Sequence, residues 1–296
     1  MRLTRQLVKS FLPQRPLEAH KGSFGRVLIV AGSEKMTGAG VLSARAALRV
    51  GAGLVAWALP KSCQCLAVAA LPEALTVPLP EKNGVLSSRA VPGLLRLIQE
   101  FHPSVVLIGP GLSDSAFIIP FLRKNTTPAV LDADALNALA RQSDWPEIIS
   151  GRFPLICTPH PGEMQRLLQK PISSDSSVRA QYAQELSAKT GGVSVLKGFH
   201  TVISDGRLVY ENPTGGPALA KAGSGDTLGG IIAGLWAQSG TAEGFTQATA
   251  LRSACAGVYL HGLCGDLAAK KLTDRCVLAS DTADCLPLAF QHVLTK

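Results

Sequence analysis

Residues 27–59, VLIVAGSEKMTGAGVLSARAALRVGAGLVAWAL, decide the fold. Residues 27–31 are a short apolar run rich in β-branched side chains, 32–37 a loop, 38–50 a helix of small residues, and 54–59 a second apolar run behind Gly51-Ala52-Gly53. Strand, glycine loop, helix and strand in that order make a βαβ unit, which requires a parallel sheet with helices on its faces. Gly38-Ala39-Gly40 is a weak match to a dinucleotide fingerprint: the last glycine is missing and no acidic residue closes the second strand. A Rossmann NAD site is therefore rejected.

The alternation continues outward. Strands are expected over 105–108, 129–131, 155–158 and 193–196, and each runs into an unusual loop: Gly109-Pro110-Gly111-Leu112, Asp132-Ala133-Asp134, Pro159-His160-Pro161-Gly162-Glu163, and Lys197-Gly198-Phe199-His200-Thr201. Ligands of open parallel sheets bind beyond the carboxyl ends of the strands, so these loops point to one shared site. Each residue also has an ordinary reading. Asp132, Asp134 and Glu163 serve equally as helix N-caps or first-turn dipole partners, His160 as a surface histidine, Lys197 as a snorkelling side chain and Thr201 as a turn residue. Lys197 at the end of a buried strand would neutralise phosphate, and Thr201 would donate to it.

Residues 212–235, NPTGGPALAKAGSGDTLGGIIAGL, place a glycine-rich turn before an apolar helix. Gly223, Ser224 and Gly225 let the backbone take positive φ and approach a ligand, and the free N–H groups of the helix start form an anion site. An acid there repels phosphate unless it has separate work, so Asp226 is the candidate catalytic base; the alternative is a plain helix cap.

The flanking segments are simpler. Residues 1–20 are expected as an amphipathic packing arm, with Leu3, Leu7 and Phe11 at helical spacing and an end at Pro13 and Pro16. An exposed helix is expected over 175–189, then a hairpin of strands 202–204 and 208–211 joined by Asp205-Gly206. A long helix over 246–263 places His261-Gly262 at its C-terminus, and a last helix over 280–294 begins at Asp281.

At 296 residues and 46% hydrophobic, the chain supports a large core; one domain is favoured, with 1–20 as the arm and 21–296 as the domain. Seven cysteines, an odd number with no Cys-x-x-Cys pair, argue against a disulfide framework or zinc site and for core thiols in a reducing cytoplasm. The N-terminus has no signal-peptide core, and no apolar run approaches the roughly 20 residues of a membrane span. The net charge of +8 is scattered and only three Tyr and three Trp are present, so phosphate-bearing small molecules are expected rather than nucleic acid or membrane.

The segments KGSFGRVLIVAGS (21–33), MTGAG (36–40), RVGAGLV (49–55), IGPGL (108–112), LDADALN (131–137), TPHPGE (158–163), LKGFHTVI (196–203), NPTGG (212–216) and GSGDTLGGIIAGL (223–235) resemble, in order and spacing, the ADP-dependent NAD(P)H-hydrate dehydratases of the ribokinase-like superfamily. The resemblance spans about 21–294. It implies a three-layer α/β fold with a central, mostly parallel sheet. It also implies dehydration of (6S)-NADHX or NADPHX to NADH or NADPH, with ADP becoming AMP and phosphate, through phosphorylation of the hydrate hydroxyl and elimination. Carried over by position, Ala39, Gly111, His160 and Asp226 would touch the hydrate. Lys197, Gly198, Phe199, His200, Thr201 and Gly225 would hold the nucleotide, Gly223 and Gly225 would stabilise the transferring phosphoryl group, and Glu163 would serve Mg²⁺ through water. Lys221 and Ala222 stand where the family usually has Thr and Gly. A homotetramer is the family's habit, and a separate epimerase would supply the S epimer. The rival readings are a superfamily kinase acting on a small vitamin-precursor alcohol and a nucleotide-binding regulator without turnover.

Overall fold

The computed structural model describes residues 1–173 and 175–295. Its strands are β1 Arg26–Val30, β2 Leu54–Pro60, β3 Leu75–Leu79, β4 Glu81–Lys82, β5 Val85–Leu86, β6 Val105–Ile108, β7 Ala129–Leu131, β8 Leu155–Cys157, β9 Val193–Leu196, β10 Val202–Ser204 and β11 Val209–Glu211. Nine of these form one sheet in the order β11-β10-β9-β8-β7-β6-β1-β2-β3, parallel from β9 to β3, with β10 and β11 antiparallel at one edge. The helices are α1 Arg5–Phe11, α2 Thr37–Arg49, α3 Gln64–Ala70, α4 Ala90–Phe101, α5 Ile118–Leu122, α6 Ala133–Ala140, α7 Trp145–Ile149, α8 Pro161–Leu168, α9 Ser176–Thr190, α10 Ser224–Glu243, α11 Gln247–Leu272, α12 Ala279–Asp284 and α13 Leu286–Leu294.

Apart from Arg26 at the start of β1, the central strands β1, β6, β7 and β8 carry apolar residues throughout because both faces are covered. Successive side chains alternate between two cores. Val27, Ile29, Val55, Trp57 and Leu107 join the core under α2, α10 and α11, and Leu28, Val30, Val106 and Ile108 join the core under α4 to α6. Helices α2 and α10 pack closely because Gly230 faces the Ser43 carbonyl and Gly234 faces Val50, positions where a Cβ would overlap.

The chain runs β1–β2–β3 to one side, then returns beside β1 as β6 and proceeds to β9 on the other. The reversal lies between β1 and β6, paired from Val27↔Val105 to Val30↔Ile108, and it opens a crevice at their carboxyl ends.

Several elements differ from the sequence expectation. Leu3 lies outside the first helix: Arg2 bridges Glu211 in parallel, with the Leu3 N–H donating to the Glu211 carbonyl at 2.9 Å, and only α1 beyond it is helical. Strand β3 and the β4–β5 hairpin were not expected. Helix α9 is only partly exposed, burying Ala183, Leu186 and Arg179. Helix α11 runs to Leu272, so His261 is interior to it rather than at its end. The final helix is two. Asp281 lies inside the first turn of α12, its carboxylate accepting from the Leu278 N–H at 2.7 Å, and α13 restarts with Pro287 in its first turn. The cysteines are all free, with Cys63, Cys157, Cys255 and Cys264 buried but Cys65 and Cys276 exposed.

Candidate active site

Loops from β6, β7, β8 and β9 and the start of α10 converge at the carboxyl edge. Of the three small residues opening α10, only Gly223 takes positive φ, 87°, as the N-cap; Ser224 and Gly225 are already helical. The anion-binding surface is therefore a helix N-terminus entered through one left-handed residue, with Asp226 in its first turn. Burial, and then the nearby Asp132 carboxylate, push the Asp226 carboxyl up to about 6, while Lys197 opposes them.

Asp132 occupies the N-cap position of α6, yet its side chain makes no cap bond. It turns across the sheet edge, where Oδ1 accepts from Lys197 Nζ at 2.5 Å and from Thr158 Oγ1 at 2.8 Å, and it is 1% exposed. Glu163 lies 3.7 Å from the same ammonium, so Lys197 joins residues from β7, α8 and β9. Burial lowers the Lys197 pKa, but these carboxylates outweigh it and hold the ammonium protonated above its ordinary value. A Cβ on Gly225 would lie 3.4 Å from Lys197 Nζ, so the ammonium sits against the opening turn of α10.

His160 caps α8. Its Nδ1 accepts from the Gly162 N–H at 2.9 Å, while Glu163 Oε2 accepts from the His160 N–H at 2.8 Å, closing a reciprocal box. An accepting Nδ1 leaves the neutral ring's proton on Nε2, which faces Glu163 Oε1 at 3.3 Å. Burial and Lys197 lower the His160 pKa, and burial raises that of Glu163.

The 197–201 loop is held from beneath by Arg179 of α9, which donates to the carbonyls of Leu196 (3.1 Å), Lys197 (3.2 Å) and Phe199. Sequence reasoning missed this residue, since nothing local distinguishes it from other helix arginines. Phe199 is 74% exposed and stacks on His200, whose Nδ1 meets Glu211 at 2.9 Å. Thr201 donates its hydroxyl to the Gly198 carbonyl at 2.9 Å, so the expected donation outward is spent within the loop.

A cavity of about 730 Å³ lies between this loop, the 212–222 segment, the start of α10 and the middle of α11. His160, Lys197, Gly198, Phe199, Thr201 and Gly225 border it; His200 does not. His261, expected as a helix-end cation, lines it instead. The ring is 6% exposed, burial pushes its pKa down to about 4, and Nε2 lies 3.3 Å from Ser224 Oγ. Lys221 also borders the cavity, with its Nζ donating to the Arg275 carbonyl at 2.5 Å.

Ala39, Gly111 and Asp226 lie outside this cavity, at the crevice between β1 and β6. Gly111 takes φ 62°, and a Cβ there would press on Ala39 Cβ and the Met36 carbonyl, so the loop lies flush against the start of α2. One turn along α2 from Ala39, Ser43 Oγ donates to the Asp226 carbonyl at 3.1 Å. The expected residues thus divide into two groups meeting at the start of α10.

The family model for NAD(P)H-hydrate dehydratase matches residues 27–288. The bifunctional NAD(P)H-hydrate repair enzyme Nnr of Moorella thermoacetica is 42% identical over 98% of this chain and 54% of its own length; the chain spans about half the length of the curated relatives of that kind. The ADP/ATP-dependent NAD(P)H-hydrate dehydratase of Bacillus subtilis, co-crystallised with ATP and Mg²⁺, superposes with a TM-score of 0.79 at 31% identity, covering 98% of this chain and 97% of that one. A ribokinase-like superfamily protein of Enterococcus faecalis gives 0.81 at 28% identity, covering 99% and 96%.

Proposed function

The chain belongs to the NAD(P)H-hydrate dehydratase family, and on that premise we propose that it dehydrates (6S)-NADHX and NADPHX to NADH and NADPH, converting ADP to AMP and phosphate. Hydroxide leaves a hydrated ring poorly. Phosphorylation of the hydroxyl makes phosphate the leaving group, and the ring nitrogen's lone pair expels it as the adjacent carbon gives up a proton.

In this reading ADP occupies the 730 Å³ cavity, with its phosphates turned toward Lys197 and the α10 N-terminus. The hydrated ring lies by Ala39 and Gly111 with its hydroxyl toward Asp226, and His160 borders both. Asp226 takes the hydroxyl proton as the oxygen attacks phosphorus. The Gly223–Gly225 amides and the Lys197 ammonium stabilise the charge on the transferring group, the usual largest contribution to such catalysis. The observation that carries the reading is a half-buried carboxyl, its pKa raised to about 6, in the first turn of a helix whose start meets a lysine ammonium.

Among the described residues no group of three His, Cys, Asp or Glu can hold a metal. Glu163 already accepts from the His160 N–H and is 4% exposed. These residues fit a Mg²⁺ held by the nucleotide phosphates and reached by Glu163 through water; such an ion screens phosphate charge.

The proposal treats 21–296 as one catalytic domain, working as a homotetramer in the cytoplasm and leaving epimerisation to another domain or protein. No helix among the described residues is long and apolar enough to cross a membrane. The test incubates purified protein with NADHX, Mg²⁺ and ADP. Formation of NADH with matching AMP supports the reading. Nucleotide binding without NADH formation contradicts it and favours a superfamily kinase.

A further inference from the structure

Two residues beyond Gly111, Ser113 borders a second cavity of about 780 Å³. Ser113 and Asp134 form one wall, with the Ser113 N–H donating to Asp134 Oδ2 at 2.8 Å. Asn137 and Arg141 continue that wall at helical spacing along and just beyond α6, and Arg166 and Lys170 approach from α8 and the residues after it. Helix α8 divides the two cavities: His160 and Pro161 at its start border the first, and Arg166 in its last turn borders the second.

The charges suit an anion. Arg166 donates to Asn137 Oδ1 at 2.8 Å, a neutral acceptor, and makes no direct ion pair among the described residues, with the Glu163 carboxylate acting on it only at longer range. Arg141 meets Asp114 at 2.8 Å, but that carboxylate side chain is 90% exposed, and an exposed pair of this kind is weak and readily exchanged. Lys170 is occupied by Glu185. Two acids line the cavity: Asp114, paired with Arg141, and Asp134, which is tied to the Ser113 N–H and whose pKa burial raises.

Size gives a second argument. A dinucleotide is two nucleotides joined through a pyrophosphate. If ADP fills the first cavity and the hydrated ring lies at Ala39 and Gly111, the rest of the substrate must leave along the crevice. The second cavity starts where that path leads. We propose that this cavity binds the pyrophosphate and adenylate half of the hydrated dinucleotide, with Arg166 and Arg141 as its anion contacts. Arginine forks suit phosphate oxygens bidentately. The inference rests on the reading of the substrate as a hydrated dinucleotide.

The experiment compares NADHX with the hydrate of reduced nicotinamide mononucleotide, which keeps the reacting ring and lacks the adenylate half. For wild-type protein, kcat/KM is expected to be lower for the truncated hydrate. Arg166→Gln should lower kcat/KM for NADHX by roughly tenfold or more and affect the truncated hydrate far less, with the KM for ADP unmoved. Arg166→Lys should restore part of the loss, and Arg141→Gln should repeat the pattern. Equal losses on both hydrates, or no preference for the intact dinucleotide, would overturn the subsite while leaving the dehydratase reading in place. Turnover of neither hydrate by wild-type protein would remove the premise and the subsite with it.

Discussion

Asp226 and Asp132 are the same residue type in the same network, and their surroundings give them opposite work. Asp132 is bound to Lys197 and Thr158 and holds the cation in place. Among the described residues no group donates a hydrogen bond to the Asp226 carboxylate, and burial and Asp132 raise its pKa to about 6, near the value that suits a base at neutral pH. The base works ionised, so kcat/KM is expected to rise with pH, reach half its plateau near pH 6, and stay high above it; a pH-independent kcat/KM between 5 and 8 would contradict the assignment. Stability runs the other way. The folded state holds the Asp226 proton more tightly than the unfolded chain, so this residue's contribution falls as pH rises from about 4 to about 6. Asp226→Asn should therefore cost roughly 10²–10⁴ in kcat while raising the melting temperature at pH 7 and leaving ADP affinity near wild type. A variant that loses both activity and stability would point to a structural role. Asp132→Asn should move the acid limb below pH 6, since it removes a charge that raises the Asp226 pKa. It should also destabilise the fold by about 3 kcal/mol or more, because Lys197 loses its closest partner. Calorimetric unfolding beside a pH–rate profile checks both effects.

The close approach of α2 and α10 sets the spacing between Ala39 and Asp226. Gly230→Ala, which drives a methyl into the Ser43 carbonyl, should destabilise by on the order of 1–3 kcal/mol and lower kcat as well; unchanged chemical denaturation would exclude this account of the packing. Arg179→Met should free the 197–201 loop, raising the KM for ADP several-fold with little change for NADHX, and equal changes in both would contradict its role as a loop support. Elements legible in the sequence are those whose pattern is local. The buried runs at 105–108, 129–131 and 193–196 are strands at those bounds, because a continuous apolar run bracketed by glycine, proline or acid leaves little choice. Strand β3 was hidden because it is a partly exposed edge strand with Pro78 inside it. The extent of α11 was hidden because Gly262 reads as a helix stop, whereas here it allows contact with Thr214. Asp132 stayed open between a helix cap and a site residue because its partner, Lys197, lies 65 residues away, and no local signal encodes that pairing.

Over the whole molecule, the site follows from one topological fact. The strand order reverses between β1 and β6, and the crevice this opens is where the Gly111 loop, α2 and α10 meet. That the loops share one edge was legible from the parallel-sheet pattern; that they form two cavities on either side of α8 was not, because cavity shape depends on how helices pack rather than on any motif. The N-terminal arm closes the β11 edge of the sheet, with Met1 and Leu3 paired to Glu211 and α1 packed beside α11. The central claim is tested most directly by mixing the protein with NADHX, Mg²⁺ and either ADP or ATP and following the near-ultraviolet band of reduced nicotinamide, which the hydrate lacks. The account predicts that the band grows only with a nucleotide present and roughly 10²–10⁴ more slowly in Asp226→Asn protein, with one AMP formed per NADH when ADP is the donor. Growth of the band at the same rate in Asp226→Asn protein, or none in wild-type protein that binds the nucleotide, would contradict it.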